Sequence, residues 1–136
     1  MMDCFDADVL IYAAAPGHPL GRKVKALLSA GPDSCAGSVL LLPEVLSKPL
    51  RSGAVDEVAA LAGLLGRLQM QPVDRPTADL ATFLAGRYHL HAADAVHCAT
   101  AVRLGADRFI TNNRRDFTTA ITEVGVVYPD DLPETT

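Results

Sequence analysis

Several acidic residues stand in surroundings that ordinarily exclude them. Asp6 and Asp8 lie in Phe5-Asp6-Ala7-Asp8-Val9-Leu10-Ile11, Glu44 in Leu42-Pro43-Glu44-Val45-Leu46, and Asp94 in His91-Ala92-Ala93-Asp94-Ala95-Val96-His97. Aspartate and glutamate are almost never fully buried without a partner, so such acids need a cation or a cage of hydrogen-bond donors. Carboxylates that meet at one point repel and raise one another's pKa. A divalent cation removes that penalty, and oxygen ligands suit Mg²⁺ or Mn²⁺. Mg²⁺ usually takes only one or two protein carboxylates and keeps waters, which leaves room for phosphate oxygens. A fourth stretch, Ile110-Thr111-Asn112-Asn113-Arg114-Arg115-Asp116-Phe117, adds a further acid and two arginines suited to phosphate contact.

Each of these residues also has a plainer role open to it. Asp6 is a good N-cap for a segment starting at Ala7, and Glu44 and Asp94 each suit the first turn of a helix. Asp8 is balanced between a place beside a metal and a capping role. Arg114 and Arg115 are balanced between phosphate contact and a solvated basic turn. His91 and His97 flank Asp94 at three residues on either side and would share a helix face with it. A structural zinc site wants four nitrogen or sulfur ligands, and no Cys-x-x-Cys or His-x₃-His supports one. His97 is therefore read as helix packing, and His89 and His91 as exposed near a helix start. No Ser-His-Asp or Cys-His pattern points to a covalent nucleophile.

The elements that must position these residues are short. Cys4-Phe5, Ser34–Ala36, Pro72-Val73, Phe109–Thr111 and Val124–Tyr128 read as strands. Helices are expected over His18–Ala30, Asp56–Met70, Thr77–Leu90 and His91–Leu104, the last closed by Gly105. The helix carrying Glu44 starts either at Ser38 as N-cap or near Pro43 at the first helical position. Apolar strands alternating with helices predict an α/β fold, a three-layer α/β/α sandwich around a central, mostly parallel sheet of four or five strands. In such sheets sites lie at the carboxyl ends of the strands. Asp6 and Asn112-Asn113 each follow a predicted strand directly, and so fall on that edge.

Composition removes several classes of function. The 136 residues are 49% apolar and 21% charged, which is the composition of one globular domain, 1–136, with 130–136 expected as a loose tail. No apolar run has the length of a membrane span, and the start has no basic region of the secretory type. Three cysteines without a Cys-x-x-Cys spacing suggest reduced thiols and a cytoplasmic location. A net charge of −4 provides no global attraction for a polyanion, so any nucleic acid must be drawn locally. Aromatics at 5% are too few for a base-stacking platform.

Taken in order, the four stretches resemble the PIN domain family, and most of all the VapC-type ribonuclease toxins of toxin–antitoxin pairs. The segment from Phe5 to Ile11 is similar to the family's opening Asp-Thr-Asn/Ser-hydrophobic motif. Pro43-Glu44-Val45-Leu46 is similar to its helical glutamate, Ala93–Ala101 to its third acid and following Ala-x-Ala, and Phe109–Asn113 to the strand and turn of its fourth acid. The likeness covers roughly residues 3–128. Two positions depart from it. Asp8 stands where Asn or Ser is more usual, and Asn113 stands where a fourth Asp is common, with Asp116 three residues further on.

The resemblance implies a metal-dependent endoribonuclease in which Asp6, Glu44 and Asp94 hold Mg²⁺ or Mn²⁺. Asp116 then serves as the fourth catalytic acid, with Asp8, Asn113, Arg114 and Arg115 in supporting or phosphate-binding positions. It also implies an RNA substrate, a small antitoxin partner and a homodimer. Apolar helix faces at Leu20–Leu28 and Val58–Leu68 read as surplus surface for such contacts. Three alternatives keep parts of this reading. They are an RNA-processing nuclease outside a toxin system, a PIN-like interaction module that has lost activity at Asn113, and a phosphatase-like hydrolase using Asp6 as nucleophile and Asp8 as acid.

Overall fold

The structure, a computed structural model, describes residues 1–134. In chain order the elements are β1 (Asp3–Phe5), α1 (Ala7–Ala14), α2 (Pro19–Leu28), β2 (Cys35–Ser38), α3 (Leu41–Ser52) and α4 (Val55–Leu65). They continue with β3 (Gln69–Gln71), α5 (Arg75–Tyr88), α6 (Ala92–Leu104), β4 (Arg108–Ile110) and β5 (Gly125–Val127). A 3₁₀ turn, Pro129–Asp131, closes the order. All strand pairs are parallel, in the order β3-β2-β1-β4-β5.

Both faces of the sheet are covered, so alternate residues of its short strands feed two separate cores. Phe5 and Ile110 point into one core with Val9, Leu10, Val24, Leu28 and Leu61. Cys4 and Phe109 point into the other, against Leu84, Cys98 and Phe117. Helices α1 to α4 supply the first layer and α5 with α6 the second, which is the sandwich that the alternation of elements predicts. Helix α2 is drawn hard against α1. A Cβ on Gly21 would lie 2.0 Å from the Tyr12 carbonyl oxygen, so only glycine permits that approach.

Several expected boundaries move. Helix α3 starts at Leu41, later than a Ser38 cap and earlier than Pro43, while the Ser38 hydroxyl accepts from the Leu40 N–H instead. Helix α4 ends at Leu65, and Met70 belongs to β3, which lies at Gln69–Gln71 and not at Pro72-Val73. A proline lacks the N–H for a ladder, whereas the polar, edge-strand Gln-Met-Gln does not. Asp74 caps α5 through the Thr77 N–H and pairs with Arg103. Gly105 takes its predicted place as the left-handed cap of α6, at φ 72°.

Two larger expectations also change. The faces Leu20–Leu28 and Val58–Leu68 are not surplus: Val24, Leu28, Leu61, Leu65 and Leu68 are buried in this chain's own core. The end of the chain is docked as far as residue 134. Leu132 is buried in the first core, Asp130 pairs with Arg114, and Glu134 pairs with Lys23. The rest of the predicted tail, 135–136, lies outside the described residues. Among the described residues no helix is long and apolar enough to cross a membrane.

Candidate active site

The chain turns to opposite sides of β1. It lays β2 and β3 on one flank, and then returns to place β4 and β5 on the other. A reversal of this kind opens a crevice at the carboxyl edge, where the segments after neighbouring strands diverge. Asp6 stands at that point. It follows β1, caps α1, and has both carboxylate oxygens engaged: Oδ1 accepts from the Ala7 N–H at 2.8 Å, and Oδ2 accepts from the Thr111 hydroxyl at 2.8 Å. The cap of α1 and the carboxyl edge of the sheet therefore share this one residue. Thr111 is fully buried, and its oxygen also accepts from the Asn113 N–H at 3.1 Å, which ties the loop after β4 to Asp6.

The other acids converge from separate elements. Asp8 lies in the first turn of α1, where its Oδ2 accepts from the Asn112 N–H at 3.1 Å and its buried Oδ1 has no partner. Glu44 comes from the first turn of α3 and Asp94 from the first turn of α6. Asp116 is locked to Asn113 in both directions. Asn113 Nδ2 donates to Asp116 Oδ2 at 3.0 Å, and the Asp116 N–H donates to Asn113 Oδ1 at 3.3 Å. His91, Asp94 and Asp116 present ligand atoms that all lie within 4.8 Å of one another. The charges of Asp6, Asp8, Glu44 and Asp94 are felt within this edge, Asp6 by Glu44, Asp8 by Asp6 and Asp94, and Asp94 by Asp6 and Asp116, and Asn113 serves to hold Asp116. Among the described residues the ligand atoms that close to within 4.8 Å are those of His91, Asp94 and Asp116, without Asp6 or Glu44.

Burial and mutual repulsion govern the electrostatics. Burial raises the Asp6 carboxyl above the ordinary carboxylate range, opposed by nearby His97 and the Thr111 and Ala7 hydrogen bonds and reinforced by Glu44. Asp8 is pushed up to about 7 by burial first and by the Asp6 charge second. Asp94 is raised by burial, then by Asp6 and Asp116, with His91 acting the other way. Among the described residues no lysine or arginine pairs with Asp6, Asp8, Glu44 or Asp94; their only ion-pair partners are His91 and His97.

Two histidines and two arginines need reassignment. His97, read as helix packing, is buried, but its Nε2 meets Glu44 Oε1 across 53 positions of sequence. His91 is exposed as expected, yet its Nδ1 stands 3.6 Å from Asp94 and 3.9 Å from Asp116. The three-residue flank of Asp94 is the signal for His91 alone. Arg114 is turned to Asp130 and stacks 4.2 Å over the Tyr128 ring, whereas exposed Arg115 lies 3.7 Å from Asp116. Of the two, Arg115 is the one at the acidic edge.

Comparison with known proteins agrees with this fold. A toxin–antitoxin complex from Klebsiella pneumoniae superposes with a TM-score of 0.74 at 25% identity, covering 93% of this chain and 97% of that one. DNA-bound VapBC from Salmonella typhimurium gives 0.77 at 17% identity, covering 95% and 98%. VapC20 from Mycobacterium tuberculosis, a toxin that cleaves the sarcin–ricin loop, gives 0.68 at 18% identity, covering 90% and 98%. No match is found among curated protein sequences. Residues 4–120 match the PIN domain, a span from the strand before Asp6 past the last acid of the cluster, and the chain belongs to the PIN domain family.

Proposed function

We propose that the chain is a metal-dependent endoribonuclease acting as the toxin of a toxin–antitoxin pair. The observation that carries this reading is that buried or half-buried Asp6, Asp8 and Asp94 feel one another's charge, and Asp6 that of Glu44, with no lysine or arginine partner among the described residues. Acids in that arrangement fit a hard divalent cation, and the unpartnered Asp8 Oδ1 is consistent with one. Asp6, Glu44 and Asp94 are the ligands, with Asp116 adding charge at the mouth. When bound, Mg²⁺ or Mn²⁺ supplies a water of lowered pKa and neutralises charge on a phosphodiester.

The protein's own part is positioning. Thr111 and the Ala7 N–H fix the orientation of Asp6, and Asn113 fixes Asp116. Arg115 is placed to meet a phosphate oxygen beside Asp116. RNA is the proposed substrate and a small antitoxin the proposed partner, supported by the toxin–antitoxin proteins that share the fold. A homodimer and a cytoplasmic location belong to the same proposal. The engagement of Asn113 with Asp116 favours an active site over a lapsed one, because it supplies the fourth acid from a neighbouring position.

The test is cleavage of a panel of single-stranded and structured RNAs with EDTA, Mg²⁺ or Mn²⁺, run beside Asp6→Asn prepared identically. Metal-dependent cuts at fixed positions, absent from the variant, are expected. Equal cleavage by both proteins would assign the activity to a contaminant and sink the reading.

A further inference from the structure

Glu44 does not reach the acidic edge unaided. A glutamate has three rotatable side-chain bonds, and Glu44 is a third exposed, so packing alone leaves it many conformers. His97 removes that freedom. Its ring is 1% exposed, and its Nε2 hydrogen-bonds Glu44 Oε1. Its other ring nitrogen, Nδ1, is buried without a partner. A buried nitrogen without a partner is a cost that leucine or methionine would avoid at the same place in α6. The contact with Glu44 is what offsets it.

The placement is economical. Asp94 and His97 are three residues apart on one face of α6, so a single rigid helix carries one acid and the clamp on another. We propose that His97 is a positioning residue that holds the Glu44 carboxylate in the metal-binding set. The proposal rests on the reading above that Glu44 is a ligand. Groups that orient a metal's ligands commonly matter ten- to a hundredfold in affinity (~10–100-fold).

Mn²⁺ binding by the full chain, read by calorimetry without RNA, tests this, with circular dichroism and melting in EDTA to verify folding. His97→Leu is expected to bind Mn²⁺ about tenfold more weakly or worse. His97→Gln keeps an N–H donor and is expected to recover most of that loss. In a Glu44→Gln background, His97→Leu should cause no further loss, because the two residues act as one unit. Should His97→Leu fail to fold, His97→Met fills the same space with a more adaptable side chain and carries the same expectation.

Wild-type affinity in either apolar variant overturns the proposal, as does a loss that multiplies with that of Glu44→Gln. If Glu44→Gln alone binds normally, Glu44 is not a ligand and the proposal falls with it. The nuclease reading would then still stand or fall on Asp6 and Asp94.

Discussion

Asp3 opens β1 and Asp6 directly follows it, three residues on, and they live in opposite electrostatic worlds. Asp3 is buried and accepts two hydrogen bonds from Arg108, at 2.7 and 2.9 Å, across the β1–β4 pair. Asp6 is equally buried, but the charges near it are Glu44, Asp8 and Asp94, relieved only by His97 and neutral donors. Asp74, capped onto Thr77 and paired with Arg103, sits on the Asp3 side of the divide, with its carboxyl pulled down to about 2. The contrast separates acids that complete the structure from acids that the structure leaves in want of a cation. Burial alone does not distinguish them; the partner does.

The widest gap should appear between Asp6→Asn and Asp3→Asn. Asp6→Asn, like Asp94→Asn, is expected to lower cleavage a thousandfold or more, about 4 kcal/mol of transition-state stabilisation. Its melting point in EDTA should match or exceed that of the unsubstituted chain, since one repelling charge is gone. Asp3→Asn is expected to cost about 2 kcal/mol of stability in urea titrations, because it takes a charged hydrogen-bond acceptor from the half-buried Arg108 guanidinium. A metal-free Asp6→Asn less stable than Asp3→Asn would erase the distinction.

A smaller effect should sharpen the boundary of the acidic cluster. Asp116→Asn is expected to lower activity about a hundredfold, roughly 2.7 kcal/mol. Asn113→Asp should weaken the Asn113–Asp116 lock while adding charge. If Asn113→Asp instead tightens Mn²⁺ binding and Asp116→Asn changes nothing, Asn113 occupies the fourth position and Asp116 is a turn residue.

The least effect is on pH dependence, where the two kinds of acid should slope in opposite directions. Asp8 has a folded pKa of about 7 against an ordinary 3.8, so the folded chain holds this proton more tightly than the unfolded one. Its contribution is complete below about 3.8 and is lost as pH rises through about 7; Asp6 and Asp94 act in the same sense. Asp74 does the reverse, contributing above 3.8 and losing that contribution as pH falls toward 2. Melting points in EDTA should therefore decline from pH 5 to pH 7.5, Asp8→Asn should flatten the decline, and Mn²⁺ should offset it at the upper end. A flat profile for the unsubstituted chain would show that Asp8 is not held near 7.

Much of this was legible in residue order. The acids announced themselves by their apolar neighbours, and the strands before Asp6 and before Asn112 gave the edge on which they meet. Local signals failed where tertiary contacts decide. The Glu44–His97 contact joins residues 53 apart, and a histidine on an apolar helix face carries no mark of its partner. Gln69–Gln71 pairs as an edge strand despite polar side chains, because the ladder to β2 needs only backbone. Leu20–Leu28 looked surplus because periodicity reveals an apolar face without revealing what covers it. The burial of Leu132 in the first core is illegible for a similar reason, one apolar residue in a polar tail being too weak a pattern to read.

The pairing of β1 with β4 has a consequence for the birth of the molecule. Asp3 and Arg108 are 105 residues apart, as are Asp6 and Thr111, so the centre of the sheet is its most non-local contact. Closing so long a loop is slow relative to forming helices, and during synthesis it waits for residues near 111 to leave the ribosome. A nascent chain that has reached only α6 holds Asp6, Glu44 and Asp94 but lacks the strand and the threonine that seat Asp6. The same register that centres the acids on the sheet thereby delays their assembly until translation has passed β4.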